Sequence, residues 1–153
     1  MTSVSGNGYM GAALAQARIA AERGEVPVGA ALVAPDGTIV AADGNRTREY
    51  SDPTAHAEIN VIRQACEASQ SERLPGYDLY VTLEPCAMCA AAISFARIRR
   101  LYFGAADPKG GAVEHGAHLF SLETCHHAPE VYGGMAERAA ADLLTAFFQA
   151  RRT

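Results

Sequence analysis

Two short segments carry residue types that could bind a metal ion and move a proton. His56-Ala57-Glu58 places an imidazole two positions before a carboxylate, and Pro85-Cys86-Ala87-Met88-Cys89 places two thiols three positions apart. One histidine and two cysteines provide three ligands, which leaves the fourth position of a tetrahedral zinc ion open for a catalytic water. Glu58 cannot share the helical face of His56, so we expect it to lie beside the metal as a proton shuttle.

A structural zinc site is the alternative, and it would need a fourth protein ligand. Cys66, Cys125, His126 or His127 could supply one, but Glu58 would then have no role. We expect the remaining thiols and imidazoles to have no catalytic function. Cys66 is predicted to be a small buried side chain, and Cys125-His126-His127 a surface or dimer-contact segment. We expect His115 and His118 to be solvated.

The surrounding sequence predicts alternating helices and strands that would position these residues. Apolar residues at three- and four-residue spacing predict helices, and the Pro35-Asp36-Gly37 turn predicts a β-hairpin. The predicted elements are a helix over 9–23, hairpin strands over 28–34 and 38–42, a helix capped by Thr54 and ending near 68, a strand over 78–83, a helix over 85–95, a strand over 99–104 and a helix over 136–151. Residues 105–130, rich in Gly, His and Pro, give no clear pattern.

This order predicts an α/β fold in which a mixed sheet is covered by helices on both faces. We expect one domain over residues 9–153 and a flexible leader over residues 1–8. The 153 residues include 49% hydrophobic residues, which is typical of a globular domain. No signal peptide or membrane span is evident, so we expect a cytoplasmic protein whose four cysteines serve as metal ligands or free thiols.

The charge balance bears on possible nucleic-acid binding. The formal net charge of −4 argues against a generic nucleic-acid coat protein. Residues 97–153 nevertheless carry seven basic and six acidic side chains, so a local basic site remains open. Arg97, Arg99 and Arg100 fit a phosphate-binding patch and a solvated helix end equally well.

The His-x-Glu and Pro-Cys-x-x-Cys pair is the signature of zinc-dependent nucleobase deaminases. On these motifs the chain resembles the cytidine/deoxycytidylate deaminase superfamily, and within it the bacterial tRNA-specific adenosine deaminases. The segments over 25–30, 52–58 and 80–89 carry most of the resemblance, with shorter matches over 96–98, 103–105, 107–109 and 147–152. The chain departs from that family at Gly44, where an aromatic residue is common.

The resemblance implies a three-layer α/β/α cytidine deaminase-like fold with a mixed five-stranded sheet. It implies hydrolytic deamination of the anticodon wobble adenosine of arginine tRNA to inosine, with one zinc ion per subunit held by His56, Cys86 and Cys89. Glu58 would carry a proton to the ring nitrogen and then to the leaving ammonia. No organic cofactor is expected.

The same resemblance implies substrate contacts and a quaternary state. Asn45 would contact the nucleoside, while Val28 and the backbone N–H of Ala57 would line the base. The residues implied to lie near the RNA loop are Asp107, Lys109 and Phe148. The family's enzymes are homodimers whose RNA site draws on both subunits. Two alternatives remain: a deaminase of a free base or nucleoside (guanine, cytosine or adenosine), and a non-catalytic, zinc-stabilised interaction domain.

Overall fold

The computed structural model describes residues 6–151 and places ten short elements along the chain. They are α1 (Gly6–Glu22), β1 (Gly29–Val33), β2 (Ile39–Gly44), α2 (Ala57–Ser69), β3 (Asp78–Leu83), α3 (Ala87–Phe95), β4 (Arg100–Ala105), a 3₁₀ turn (Leu119–Ser121), β5 (Glu130–Tyr132) and α4 (Glu137–Ala150). Of the expected leader, residues 1–5 lie outside the described residues, and residues 6–8 form the start of α1.

The five strands form one mixed sheet in the order β2-β1-β3-β4-β5. β1 pairs antiparallel with both β2 and β3, so the predicted hairpin lies at one edge of the sheet. β3, β4 and β5 run parallel, with Leu79 opposite Leu101 and Leu101 opposite Val131. This topology confirms the mixed five-stranded sheet.

Helices cover both faces of the sheet, because successive strand residues point to opposite sides. Leu32 and Val81 face a core shared with Ile93 of α3 and Val61 of α2. On the other face, Ala31, Val33 and Tyr80 face a core shared with Met10 and Leu14 of α1 and Ala140 of α4. The three-layer α/β/α architecture is therefore confirmed.

Helix α1 lies so close to the sheet that two strand positions accept only glycine. A Cβ on Gly29 would lie 2.0 Å from the carbonyl oxygen of Ala13, and one on Gly44 would lie 2.8 Å from that of Gln16. Backbone atoms cannot give way as a flexible side chain can. The close approach of α1 leaves no room for a side chain at position 44, where the resembled family commonly has an aromatic residue.

One predicted feature of α2 needs correction. Thr54 is not the N-cap of α2, because the helix begins at Ala57 and its N-cap is His56. The backbone N–H and the hydroxyl of Thr54 both donate to Asp52 Oδ1, at 2.8 and 2.7 Å, which closes a turn before the helix.

No helix within residues 6–151 is long and apolar enough to cross a membrane.

Candidate active site

His56, Cys86 and Cys89 meet where the N-termini of α2 and α3 converge. His56 and Cys86 are the N-cap residues of these two helices, and Cys89 lies in the first turn of α3. His56 Nδ1 lies 3.6 Å from Cys86 Sγ and 3.5 Å from Cys89 Sγ. Within residues 6–151, this is the only group of three or more His, Cys, Asp or Glu residues whose ligand atoms converge, all within 4.8 Å of one another.

The spacing of these three atoms fits a tetrahedral zinc ion. Zn–S bonds of about 2.3 Å and Zn–N bonds of about 2.0 Å at tetrahedral angles place sulfur and nitrogen about 3.6 Å apart. The observed Nδ1–Sγ distances of 3.5 and 3.6 Å match that requirement. The donor set has no fourth protein ligand within the described residues, so it corresponds to an open, catalytic type of site.

The two thiols differ in their affinity for a proton. The hydrogen bond from the Cys89 thiol, together with the nearby His56, lowers the pKa of Cys86 to about 4 despite its partial burial. The same hydrogen bond, together with burial, raises the pKa of Cys89 far above its ordinary value. Cys86 is therefore a ready thiolate ligand at neutral pH, which is the form that metals bind.

Glu58 lies beside this group and is almost completely buried, with 4% of its surface exposed. Burial raises the pKa of Glu58 to about 7, because the charged form loses its hydration. A carboxyl group with a pKa near neutrality can both accept and release a proton during a reaction. Glu58 is not among the converging ligand atoms, as predicted from its offset to His56.

A cavity of about 280 Å³ opens onto these groups. Its lining includes His56, Glu58 and Cys86, and on the other walls Val28 and Asn45. The side-chain Oδ1 of Asn45 accepts a hydrogen bond from the Ala57 backbone N–H at 2.9 Å, which fixes the orientation of the Asn45 amide. The structure thus brings the nucleoside-contacting candidates to the group that could hold a metal.

The three residues predicted near the RNA loop have different locations. Asp107 lines the cavity, and its Oδ1 accepts hydrogen bonds from the N–H groups of Lys109 and Gly110 at 3.2 and 3.0 Å. Lys109 itself is exposed and lies outside the cavity lining. Phe148 lies on α4, 46% exposed, and lines a separate cavity with Leu144. The positions of these three residues do not test the RNA contacts that the resemblance implies for them.

Two buried glutamates beside the cavity were missed by sequence reasoning. Glu84 is 2% exposed and Glu25 is 1% exposed, and each accepts backbone N–H bonds from a loop that borders the cavity. His115 was expected to be solvated, which is wrong, since its Nδ1 lies 2.7 Å from Glu84 Oε1. For Glu84, the only sequence signal was an acidic residue directly after the apolar strand β3. That signal does not reveal the distant residues that Glu84 contacts.

The remaining cysteine and histidine candidates lie away from the site. Cys66 is half-buried and packs at the edge of the core, so it is less buried than expected. The Cys125 thiol donates to the carbonyl of His127 at 3.1 Å, and His127 Nε2 lies 2.7 Å from the carbonyl oxygen of Ile98. The Ser94 hydroxyl of α3 donates to the carbonyl of His127 at 2.6 Å, so the segment is held against α3 and the loop before β4. These contacts provide no fourth metal ligand within the described residues.

The arginine cluster after α3 is largely engaged within the fold. Arg99 forms an ion pair with Asp78 at 2.9 Å, and Arg100 forms one with Glu130 at 2.8 Å. Both pairs link the starts of neighbouring parallel strands. Their position favours the interpretation as a solvated helix end leading into a strand over that as a phosphate-binding patch.

Comparison with known families identifies this arrangement. The model of the cytidine and deoxycytidylate deaminase zinc-binding region matches residues 5–105, which include the three converging ligands and Glu58. The chain belongs to the cytidine and deoxycytidylate deaminase family. Its family membership and the spacing of its ligand atoms agree in assigning a zinc-binding site to this deaminase.

Individual relatives narrow the similarity further. The deaminase is 67% identical to the tRNA-specific adenosine deaminase of Agrobacterium fabrum over 94% of both chains. It superposes with a TM-score of 0.87 and 68% identity on a structure from a study of A-to-I editing by tRNA:A34 deaminases at the wobble position, covering 89% of this chain and 98% of that one. The guanine deaminase of Bacillus subtilis is more distant, with 28% identity and a TM-score of 0.65 over 97% and 94% of the two chains.

Proposed function

We propose that this protein is a zinc-dependent aminohydrolase that converts the wobble adenosine of a tRNA anticodon to inosine, and that arginine tRNA is its substrate. The observation that carries the activity is the 67% identity to a tRNA-specific adenosine deaminase along 94% of both chains. The arginine tRNA rests on the resemblance of the sequence motifs alone. The alternative of free guanine has weaker support, since the guanine deaminase relative is 28% identical.

The reaction adds water to C6 of adenine and releases ammonia from the same carbon. When bound to His56, Cys86 and Cys89, one zinc ion per subunit supplies a Lewis acid that makes water a nucleophile near neutral pH. As the new C6–O bond forms, the Glu58 carboxylate takes a proton from the water and delivers it to the ring nitrogen. Glu58 then carries the proton of the new C6 hydroxyl to the amino group. The C6–N6 bond breaks as the C6 carbonyl forms, which gives ammonia and inosine.

Asn45 and Val28 would hold the nucleoside in the cavity. Because Asn45 Oδ1 is already bound to the Ala57 N–H, its Nδ2 group is the part that can donate to the nucleoside. Val28, 5% exposed, provides an apolar wall for the base. The Ala57 N–H is engaged by Asn45, so a direct bond from it to the base would require that contact to exchange. Asp107, Lys109 and Phe148 are assigned to the RNA loop.

The proposed active form is a cytoplasmic homodimer without an organic cofactor, whose anticodon stem-loop site draws on both subunits. An exposed apolar surface supports a contact between copies. Phe95 is 73% exposed and Leu122 is 46% exposed, and both border a cavity of about 130 Å³ next to the C-terminal end of α3. Burying exposed apolar surface of this kind against a second copy of the chain is favourable.

The role of Glu58 is tested by comparing two Glu→Gln variants on the same helix. Glu58→Gln removes the proton carrier while keeping the side-chain volume, and we expect deamination of an anticodon stem-loop to fall by about 10²–10⁴-fold. Glu67→Gln, at an exposed position of α2, should leave the rate unchanged. Zinc content, measured by elemental analysis, should remain one per chain in both. A fully active Glu58→Gln variant would contradict the proposed mechanism.

A further inference from the structure

A segment that follows β4 is fastened to the carboxylate of Glu84. We call residues 107–115 the strap. The backbone N–H groups of Asp107, Val113, Glu114 and His115 donate to Glu84 at 2.9, 3.2, 2.9 and 3.1 Å. His115 Nδ1 approaches the same carboxylate at 2.7 Å. Both ends of the strap therefore converge on one side chain.

The strap wraps tightly around this carboxylate. A Cβ on Gly111 would lie 2.5 Å from Glu84 Cδ and 2.6 Å from the carbonyl oxygen of Asp107, so only glycine can pass over the carboxylate here. The Glu84 side chain has no exposed surface, and its charge has lost its hydration. Because a buried charge without donors is strongly unfavourable, the strap and Glu84 hold each other in place.

The strap forms one wall of the proposed active-site cavity. Asp107 and Gly110 line that cavity together with His56 and Glu58. Glu84 Oε1 fixes the Asp107 backbone, and the Asp107 side chain in turn accepts the N–H groups of Lys109 and Gly110. The shape of the wall thus depends on a chain of contacts that begins at Glu84.

We propose that Glu84 and His115 are positioning residues that hold the strap as a preformed wall for the nucleotides next to the target adenosine. This inference rests on the proposed function, because it assigns the strap to RNA binding. Glu84 borders the cavity but its side chain has no exposed surface, and His115 lies outside the cavity lining. They act through the backbone of Asp107 and the turn that follows it, so their loss should weaken substrate binding more than it slows the chemical step.

His115 is the better residue for a test because its side chain is only partly enclosed. Its side chain is 35% exposed, whereas Glu84 is completely enclosed and its removal would leave four N–H donors without an acceptor. Asparagine carries an amide nitrogen at the δ position, where histidine carries Nδ1. His115→Asn therefore keeps a donor for Glu84, whereas His115→Leu fills similar space without one.

The experiment compares these two variants with the zinc-loaded, full-length wild type on an anticodon stem-loop. We expect His115→Leu to raise KM by about tenfold with kcat within about twofold, as the loss of one charge-assisted contact predicts. His115→Asn should retain a near-wild-type KM, and zinc content should be unchanged in both variants. Hydrogen exchange of peptides covering residues 107–115 should accelerate in His115→Leu alone.

A stability control distinguishes a positioning role of His115 from a general loss of fold stability. Val33→Ala removes buried apolar volume at the end of β1, where Val33 pairs with Asp78. Asp78 is the first residue of β3, so this site lies at the opposite end of that strand from Leu83 and Glu84. It should lower the melting temperature without changing KM. Wild-type kinetics in His115→Leu, or equal impairment of His115→Asn and His115→Leu, would overturn the proposal.

A failure of the proposed function would give a different result from a failure of the positioning role. The wild type would then leave the stem-loop unmodified, and the exchange rates of residues 107–115 would decide the positioning role alone. Faster exchange in His115→Leu than in His115→Asn would still support the tether between His115, Glu84 and the strap. Equal exchange rates in the two variants would overturn it.

Discussion

At the residue scale, two buried carboxylates next to the proposed zinc ligands have pKa values shifted in opposite directions. Burial raises the pKa of Glu58 to about 7, which suits a group that carries protons. Burial also acts to raise the pKa of Glu84, but backbone N–H donors and His115 outweigh it, so that pKa lies below its ordinary value. Glu84 therefore remains a fixed negative charge. The surroundings of Glu58 therefore suit the proposed proton transfer, and those of Glu84 suit a structural role.

The proposed zinc ligands can be tested with matched cysteine variants. Cys89→Ser should reduce bound zinc from one per chain to below about one tenth and lower the melting temperature, since metal binding stabilises the folded state. Cys66→Ser and Cys125→Ser should each retain one zinc ion, because neither thiol belongs to the converging group. Elemental analysis after dialysis measures all three. Loss of zinc in Cys125→Ser would instead support a structural four-ligand site.

Asn45 provides a second residue-scale prediction. Asn45→Asp keeps an acceptor for the Ala57 N–H but loses the amide donor, whereas Asn45→Ala loses both. We expect kcat/KM on the stem-loop to fall at least about tenfold in both variants, since both lack the donor to the nucleoside. Only Asn45→Ala should lose about 1 kcal/mol of unfolding free energy. Full activity of Asn45→Asp would show that the amide does not contact the substrate.

The sequence was sufficient to predict that the three candidate metal ligands come together, and insufficient for the buried residues beside them. His56, Cys86 and Cys89 lie in two short motifs with ligand spacing, so their types and separations indicate their chemistry. Glu84 contacts partners more than 20 positions away, and no local pattern reports such contacts. The functional roles of the site residues remain predictions that the variants above test.

At the scale of elements, the packing of α1 on the sheet depends on the absence of a side chain at Gly29. Gly29→Ala would place its Cβ 2.0 Å from a backbone oxygen of α1, so we expect a loss of about 3 kcal/mol or more of unfolding free energy. Gly11→Ala on α1 itself meets nothing within 4 Å and should stabilise the protein by about 0.5–1 kcal/mol.

Urea titrations of the zinc-loaded variants at one protein concentration measure this difference. Equal unfolding midpoints for Gly29→Ala and the wild type would show that α1 can shift away from the sheet at little cost.

Elements with a regular apolar pattern were predicted within a few residues, and β3 was predicted with its exact bounds. The pattern failed between residues 105 and 130, where the chain is ordered by distant contacts. The strap folds around Glu84, and the Leu119 N–H donates to the carbonyl of Ala112 at 2.8 Å. β5 has only three residues, too few for an alternation to be recognised.

At the scale of the whole molecule, the exposed apolar surface at Phe95 predicts a dimer. We expect the wild type to sediment as a dimer at low micromolar concentration. Phe95→Asp should give a monomer there, because a charge at a covered apolar contact is unfavourable. Tyr50→Asp, at an aromatic residue that is 54% exposed, is the control and should remain dimeric. Sedimentation velocity distinguishes the species. A dimeric Phe95→Asp variant would exclude this surface as the contact.

The central claim is that the protein deaminates the wobble adenosine of tRNA, and one measurement tests it most directly. The zinc-loaded protein is incubated with arginine tRNA bearing an ACG anticodon, and the product is reverse-transcribed and sequenced, since inosine is then read as G. We predict a complete A-to-G change at the wobble position alone, absent with Glu58→Gln. An unmodified wobble adenosine, together with ammonia release from free guanine, would contradict the proposed substrate.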